Sequence, residues 1–244
     1  MIAISFIKID AINHVERKDG IGAFFFIAIY AVATFISLKR IPLDENYIYY
    51  QLADQSLWLA VIIIVVILRK QGLVSLGFKK EITPYIAVAV FTILSASHAI
   101  LRGSYEIMGR WFFYLIAIGG FEEILFRGFA YPRAAKLFNS PMAALIVTGL
   151  LFGAMHQIAP VVWNNASWYG VFNQLGGGVV GTLFFLLIYS LTENITNAIL
   201  VHAALDFSRY VPYFGILSII YVAILVFCKK RRMAIQTKAN IEKN

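Results

Sequence analysis

Three short stretches hold the ionisable side chains that could do chemistry in an otherwise apolar chain. The first is Gly120-Phe121-Glu122-Glu123-Ile124-Leu125-Phe126-Arg127-Gly128, the second Phe152-Gly153-Ala154-Met155-His156, and the third His202-Ala203-Ala204-Leu205-Asp206. A charge at the centre of a membrane helix costs about 2.5–3.5 kcal/mol on insertion scales, so such a group reads as functional by default. Helical spacing gives each set a direction. Glu123 and Arg127 are four apart and share a face, as do Phe152 with His156 and His202 with Asp206. Glu122 is turned about 100° from Glu123, so one helix can aim two carboxylates at different partners. Three helices that each carry polar groups at membrane depth avoid the lipid only by converging inside the bundle.

Hydrolysis of an amide needs a base for water, a stabiliser for the tetrahedral oxyanion and an acid for the leaving amine. Glu122 with His156 suits the base. Glu123 held by Arg127 suits a fixed ionised pair that orients the helix. His202 and Asp206 remain to polarise the carbonyl or hold the substrate backbone. Glu122, His156 and His202 could instead ligate a zinc ion with an open position. Nothing matches the His-Glu-x-x-His pattern of soluble zinc proteases, so the residues leave a zinc-dependent and a metal-free route both open.

The elements that must position these groups are legible from hydropathy. Of 244 residues, 60% are hydrophobic and 14% charged, against about 45–50% and 25% in soluble domains. Apolar runs lie at about 21–38, 52–68, 84–101, 111–130, 141–163, 168–191, 194–208 and 210–228. Runs of this length span a bilayer as helices, since each backbone amide must be satisfied within its own segment. The expected fold is an all-α polytopic transmembrane bundle of about eight spans. Its parts are an N-tail over 1–20, a membrane domain over 21–228 and a basic tail over 229–244. Basic residues concentrate on one side. Sixteen of the 21 Lys and Arg, Arg127 included, fall with the termini, and only Lys39, Arg40, Arg102, Arg110 and Arg209 fall on the other. The positive-inside rule places both termini in the cytoplasm of a plasma membrane, with Lys229, Lys230, Arg231 and Arg232 as the main anchor. The net charge of +8 is thus explained by the membrane surface and implies no nucleic-acid partner.

Other residues read as structural. His98 suggests packing, and Gly177 with Gly181 has the small-xxx-small spacing of close helix contact. Trp163, Trp168 and Tyr169 suggest an interfacial aromatic belt, and Cys228 a packed thiol.

The ordered elements Glu-Glu-x-x-x-Arg, Phe-x-x-x-His and His-x-x-x-Asp, on successive apolar segments over about 110–210, resemble the CPBP (Abi) family. That family includes the CAAX prenyl endopeptidases of the Ras-converting type. The resemblance implies an eight-helix core and peptide-bond hydrolysis beside the membrane. By it, Glu122 and His156 match the water-activating pair, Glu123 and Arg127 its support, and His202 with Asp206 the oxyanion-binding pair. Asp206 departs from the asparagine usual in the prenyl proteases, and a carboxylate donates no hydrogen bond unless protonated. The leading expectation is an intramembrane endopeptidase whose substrate is a membrane-associated peptide or protein: a CAAX protein, a bacteriocin or a pheromone. A non-catalytic immunity or regulatory protein that binds a peptide is the first rival, and a small proton-coupled transporter the second.

Overall fold

The structure is a computed structural model, and it describes residues 9–40, 47–163 and 166–241. The described residues form helices and no strands. We label them α1 (Arg17–Leu38), α2 (Tyr47–Leu68), α3 (Ile82–Arg102), α4 (residues 105–138), α5 (Pro141–Met155), α6 (Ile158–Val162), α7 (Trp168–Thr192), α8 (Ile195–Phe207) and α9 (Tyr213–Ile241). Short 3-10 turns at Asp10–His14 and Leu73–Leu76 pack beside them.

Among the described residues, six segments are long and apolar enough to cross a membrane: α1, α2, α3, the α5–α6 pair, α7 and α9. The protein is an integral membrane protein. The run at 194–208 folds as α8, whose 13 residues reach about 20 Å, short of the roughly 30 Å hydrocarbon core. Residues 195–204 and Phe207 of this helix are all buried. Short length and burial have one cause: α8 meets protein on every side and does not need to match the bilayer thickness. Its start is capped by the Asn194 side chain, which accepts from Thr196 N at 3.1 Å. The Ile195 amide donates to Gly77 O at 2.9 Å. Its far end is wedged among Phe91, Trp111 and Phe214.

α4 is continuous in the chain but not uniform. Two π-helical stretches, Phe113–Gly120 and Glu123–Ala130, flank a regular step at Phe121 and Glu122. The wider π turn is a rare geometry found mostly at functional sites. Here it brackets the pair of carboxylates singled out by the sequence.

The most extensive interhelical contact joins α5 to α7, and its glycines differ from those expected. A Cβ at Gly177 would meet nothing within 4 Å. The close approach belongs to Gly149 and Gly153 on α5, facing Gly178 on α7. A Cβ at Gly178 would lie 2.3 Å from Gly149 O, and one at Gly153 would lie 2.2 Å from Gln174 O. The close contact thus uses the face of α7 one residue round from the Gly177–Gly181 pair. Gly153→Val is expected to abolish the folded monodisperse peak in detergent size-exclusion chromatography, and Gly177→Val to preserve it. The sequence also suggested that Cys228 is packed; it is exposed on α9, because that turn of the last helix faces outward. His98 packs edge-on against Tyr213 at 5.6 Å, and Trp168 and Tyr169 are exposed at the start of α7.

Candidate active site

Glu122 and Glu123 enter the bundle from the centre of α4, where Gly119 lets that helix touch α8. A Cβ at Gly119 would lie 2.7 Å from Ile199 O and 3.0 Å from the Ala203 amide. This approach brings the carboxylates to His202. His156 is supplied by another helix, as the C-cap of α5. That helix is started by Pro141 and by the Ser140 hydroxyl, which accepts from Ala143 N at 3.2 Å.

Glu122 sits between two imidazoles. Its Oε1 lies 3.9 Å from His156 Nε2, and its Oε2 lies 3.7 Å from His202 Nε2. The rings are oriented by their other nitrogens. His156 Nδ1 is 2.9 Å from the Phe152 carbonyl, which can only accept. That nitrogen therefore carries the proton, and a neutral ring turns an Nε2 lone pair toward Glu122. His202 Nδ1 is 2.8 Å from Glu123 Oε1, so it donates to a carboxylate and leaves Nε2 facing Glu122. The ring of Phe152 stands edge-on to His156 at 4.6 Å, walling one side of it as the spacing suggested.

Glu123 is fully buried and paired with the equally buried Arg127 at 3.1 Å. Arg127 Nη2 donates to Thr182 Oγ1 at 3.2 Å, and its guanidinium lies over the rings of Phe152 at 4.2 Å and Phe185 at 5.3 Å. Such cation–π contacts contribute about 0.5–2 kcal/mol each. Phe185 also stacks on His202 at 4.5 Å, nearly parallel. Thr182 and Phe185 on α7 thus brace the ion pair and the imidazole together. The sequence carried little sign of them, because a threonine and a phenylalanine in a long apolar helix look like ordinary packing.

The expected His202–Asp206 unit is looser than its spacing implied. The two are 3.7 Å apart, and Asp206 also faces Arg209 at 3.4 Å. His202 is held instead by Glu123, which lies inside the bundle, whereas Asp206 is partly exposed. The zinc option fares differently. Among the described residues no group of three or more His, Cys, Asp and Glu side chains could hold a metal ion. The two imidazoles meet different oxygens of Glu122, and His202 Nδ1 is engaged by Glu123.

Glu122 and His156 together line a cavity, open on one side, between α1, α2, α4 and the α5–α6 junction. Its other polar walls are Tyr30, Thr34 and Ser37 of α1 and Tyr50, Gln51, Asp54 and Gln55 of α2. None of these was singled out from the sequence. The signal was present: three polar residues at i, i+3 and i+4 open an apolar run that should have tolerated none of them.

Residues 104–208 match the family described as Type II CAAX prenyl endopeptidase Rce1-like. All six polar residues of the site lie inside those bounds, so the resemblance drawn from their order is borne out over this stretch. A further match is an uncharacterized protein, YyaK, of Bacillus subtilis (strain 168), 32% identical over 83 residues. The matched stretch covers 34% of this chain and 26% of that relative, so it spans about a quarter of the relative's length. No solved structure matches. The Rce1-like stretch covers α4 through α8, and α1 and α2, which complete the cavity, lie outside it.

Proposed function

We propose that this protein is an intramembrane endopeptidase that hydrolyses a peptide bond in a membrane-associated peptide or protein, with water activated by Glu122 and His156. What carries this is the facing of two hydrogen-bond acceptors, the Glu122 carboxylate and the His156 Nε2 lone pair, 3.9 Å apart on a cavity wall. That separation is too long for a direct bond and short enough for one water to donate a hydrogen to each. A water so held keeps its own lone pairs free for attack.

The steps follow from the donors and acceptors at hand. Water adds to the scissile carbonyl carbon as its proton passes to Glu122. The oxyanion that forms is stabilised by N–H donation from a doubly protonated His202, held by Glu123 through Nδ1. Glu122 then returns its proton to the leaving amine as the C–N bond breaks. Glu123 and Arg127 touch no reacting atom in this scheme. They position His202, and Asp206 supplies negative charge beside the same ring.

The likeness of residues 104–208 to CAAX prenyl endopeptidases supports the reaction class. The test is cleavage of tethered reporter peptides in membranes. His156→Ala is expected to slow turnover about 100-fold, at the lower end of what a positioned base contributes, while the variant elutes like the wild type. Wild-type turnover in that variant would remove the water-activating pair and with it this mechanism.

A further inference from the structure

The two ends of the bundle differ in charge, and the cavity opens at the poor one. One end joins the start of α1, the end of α2, the end of α4 and the α7–α8 turn. Asp19 there accepts from Arg69 at 2.7 Å and from Gln71 at 2.6 Å, Arg133 donates to Gln71, Lys79 pairs with Glu193, and Lys229 reaches Ser190 O at 3.5 Å. Most Lys and Arg residues lie at this end, the tail Lys229–Arg232 among them. The cavity is lined instead by Ser37 and Leu38 at the end of α1, Tyr50 near the start of α2, and Ile158 at the start of α6. These all lie at the opposite end, which owns only Lys39, Arg40, Arg102, Arg110 and Arg209. A basic end stays in the cytoplasm, so the mouth faces out.

The lining has a sign as well. It contains Asp54 and Glu122 and no Lys or Arg. Among the described residues no basic side chain forms an ion pair with Asp54. Beside Asp54, Gln55 is 94% buried, lines the cavity and has an Oε1 with no hydrogen-bond partner among the described residues. A peptide ending in a free carboxylate would meet like charge here and no cation. A Lys or Arg side chain would meet a carboxylate, with an amide acceptor beside it.

We propose that the cavity admits an exported peptide from the extracytoplasmic face and that Asp54 selects a basic side chain near the bond to be cut. This rests on Glu122 and His156 being the reacting pair, since they lie on the same cavity wall.

Two measurements test it in a Cys228→Ser background. In intact cells a membrane-impermeant thiol reagent is expected to label Ser37→Cys at the mouth, and to label Ile235→Cys on the basic tail only in inverted vesicles. The reverse pattern overturns the orientation. Lipid-tethered peptides carrying Lys, Gln or Glu at one scanned position then report selectivity in two ways, by cleavage and by protection of Ser37→Cys from labelling. The Lys peptide is expected to protect at least ten-fold better than the Glu peptide, and Asp54→Lys to invert that order. Equal protection by all three overturns the selectivity. Charge-selective protection without cleavage would keep Asp54 as the group that binds a basic side chain in the cavity and refute the peptidase mechanism on which its place beside a cut bond rests, whereas cleavage without charge preference would keep the mechanism and overturn the role of Asp54.

Discussion

Glu122→Gln is expected to lower the turnover of a reporter peptide about 10²–10⁴-fold, the usual contribution of a positioned general base, with little change in KM. The amide keeps the shape of the side chain and can still meet both imidazoles, but it cannot take the proton of a water and hand it on. The same substitution is expected to leave the folded protein as stable as before, or more so. Glu122 is separate from the Arg127 pair, and its buried Oε2 has no hydrogen-bond partner among the described residues. Removing a charge of that kind relieves a cost that the fold otherwise carries. Activity and stability should therefore move in opposite directions, as they do where a site is held at the expense of the fold. Single-turnover kinetics in membranes and thermal unfolding in detergent read the two separately. Turnover within two-fold of wild type would remove Glu122 from the chemistry.

The direction in which each polar side chain points was legible wherever one helix decides it. Glu123 with Arg127 and Phe152 with His156 meet at four-residue spacing because a helix brings such residues onto one face whatever lies around it. The convergence of α4, α5 and α8 was legible too, since no other arrangement keeps their ionisable groups out of lipid. Choices between helices were hidden. His202 has carboxylates at 2.8 Å on α4 and 3.7 Å on its own helix, and spacing alone names only the second. The α5–α7 contact turns on Gly178 and not on its neighbour Gly177, a difference of one residue that a contiguous glycine run conceals. Asp54 is inconspicuous in the sequence for another reason. It lies two residues inside an apolar run, where a charge can equally be the last group wetted by the interface.

These hidden choices share a consequence for mechanism. The Rce1-like stretch supplies Glu122, both imidazoles and the buried ion pair, but α1 and α2 supply the facing wall with Tyr30, Asp54 and Gln55. On the proposed mechanism, reaction chemistry and substrate choice therefore reside in different parts of the chain. A change in α2 can redirect the site without touching the groups that handle water and protons.

Arg127→Met is expected to destabilise the protein by about 3–5 kcal/mol, the cost of breaking a buried pair from one side. Methionine fills much of the same volume between Phe152 and Phe185, so the loss is mainly electrostatic: Glu123 keeps its charge, fully buried, with His202 as its remaining partner. Thermal unfolding in detergent should show a lower midpoint. The double variant Glu123→Gln/Arg127→Met removes both charges together and is expected to recover most of that stability, since a buried pair adds little over apolar groups of similar shape. Turnover should not return with it. A glutamine at 123 offers His202 Nδ1 a neutral acceptor in place of a carboxylate, so the ring loses the charge that supports its doubly protonated form. Recovery of stability without activity is the signature of a pair that acts on the reaction through the orientation and charge of His202. Full activity in the double variant would make the pair structural alone, and an unchanged midpoint in Arg127→Met would mean that the charges are not buried together.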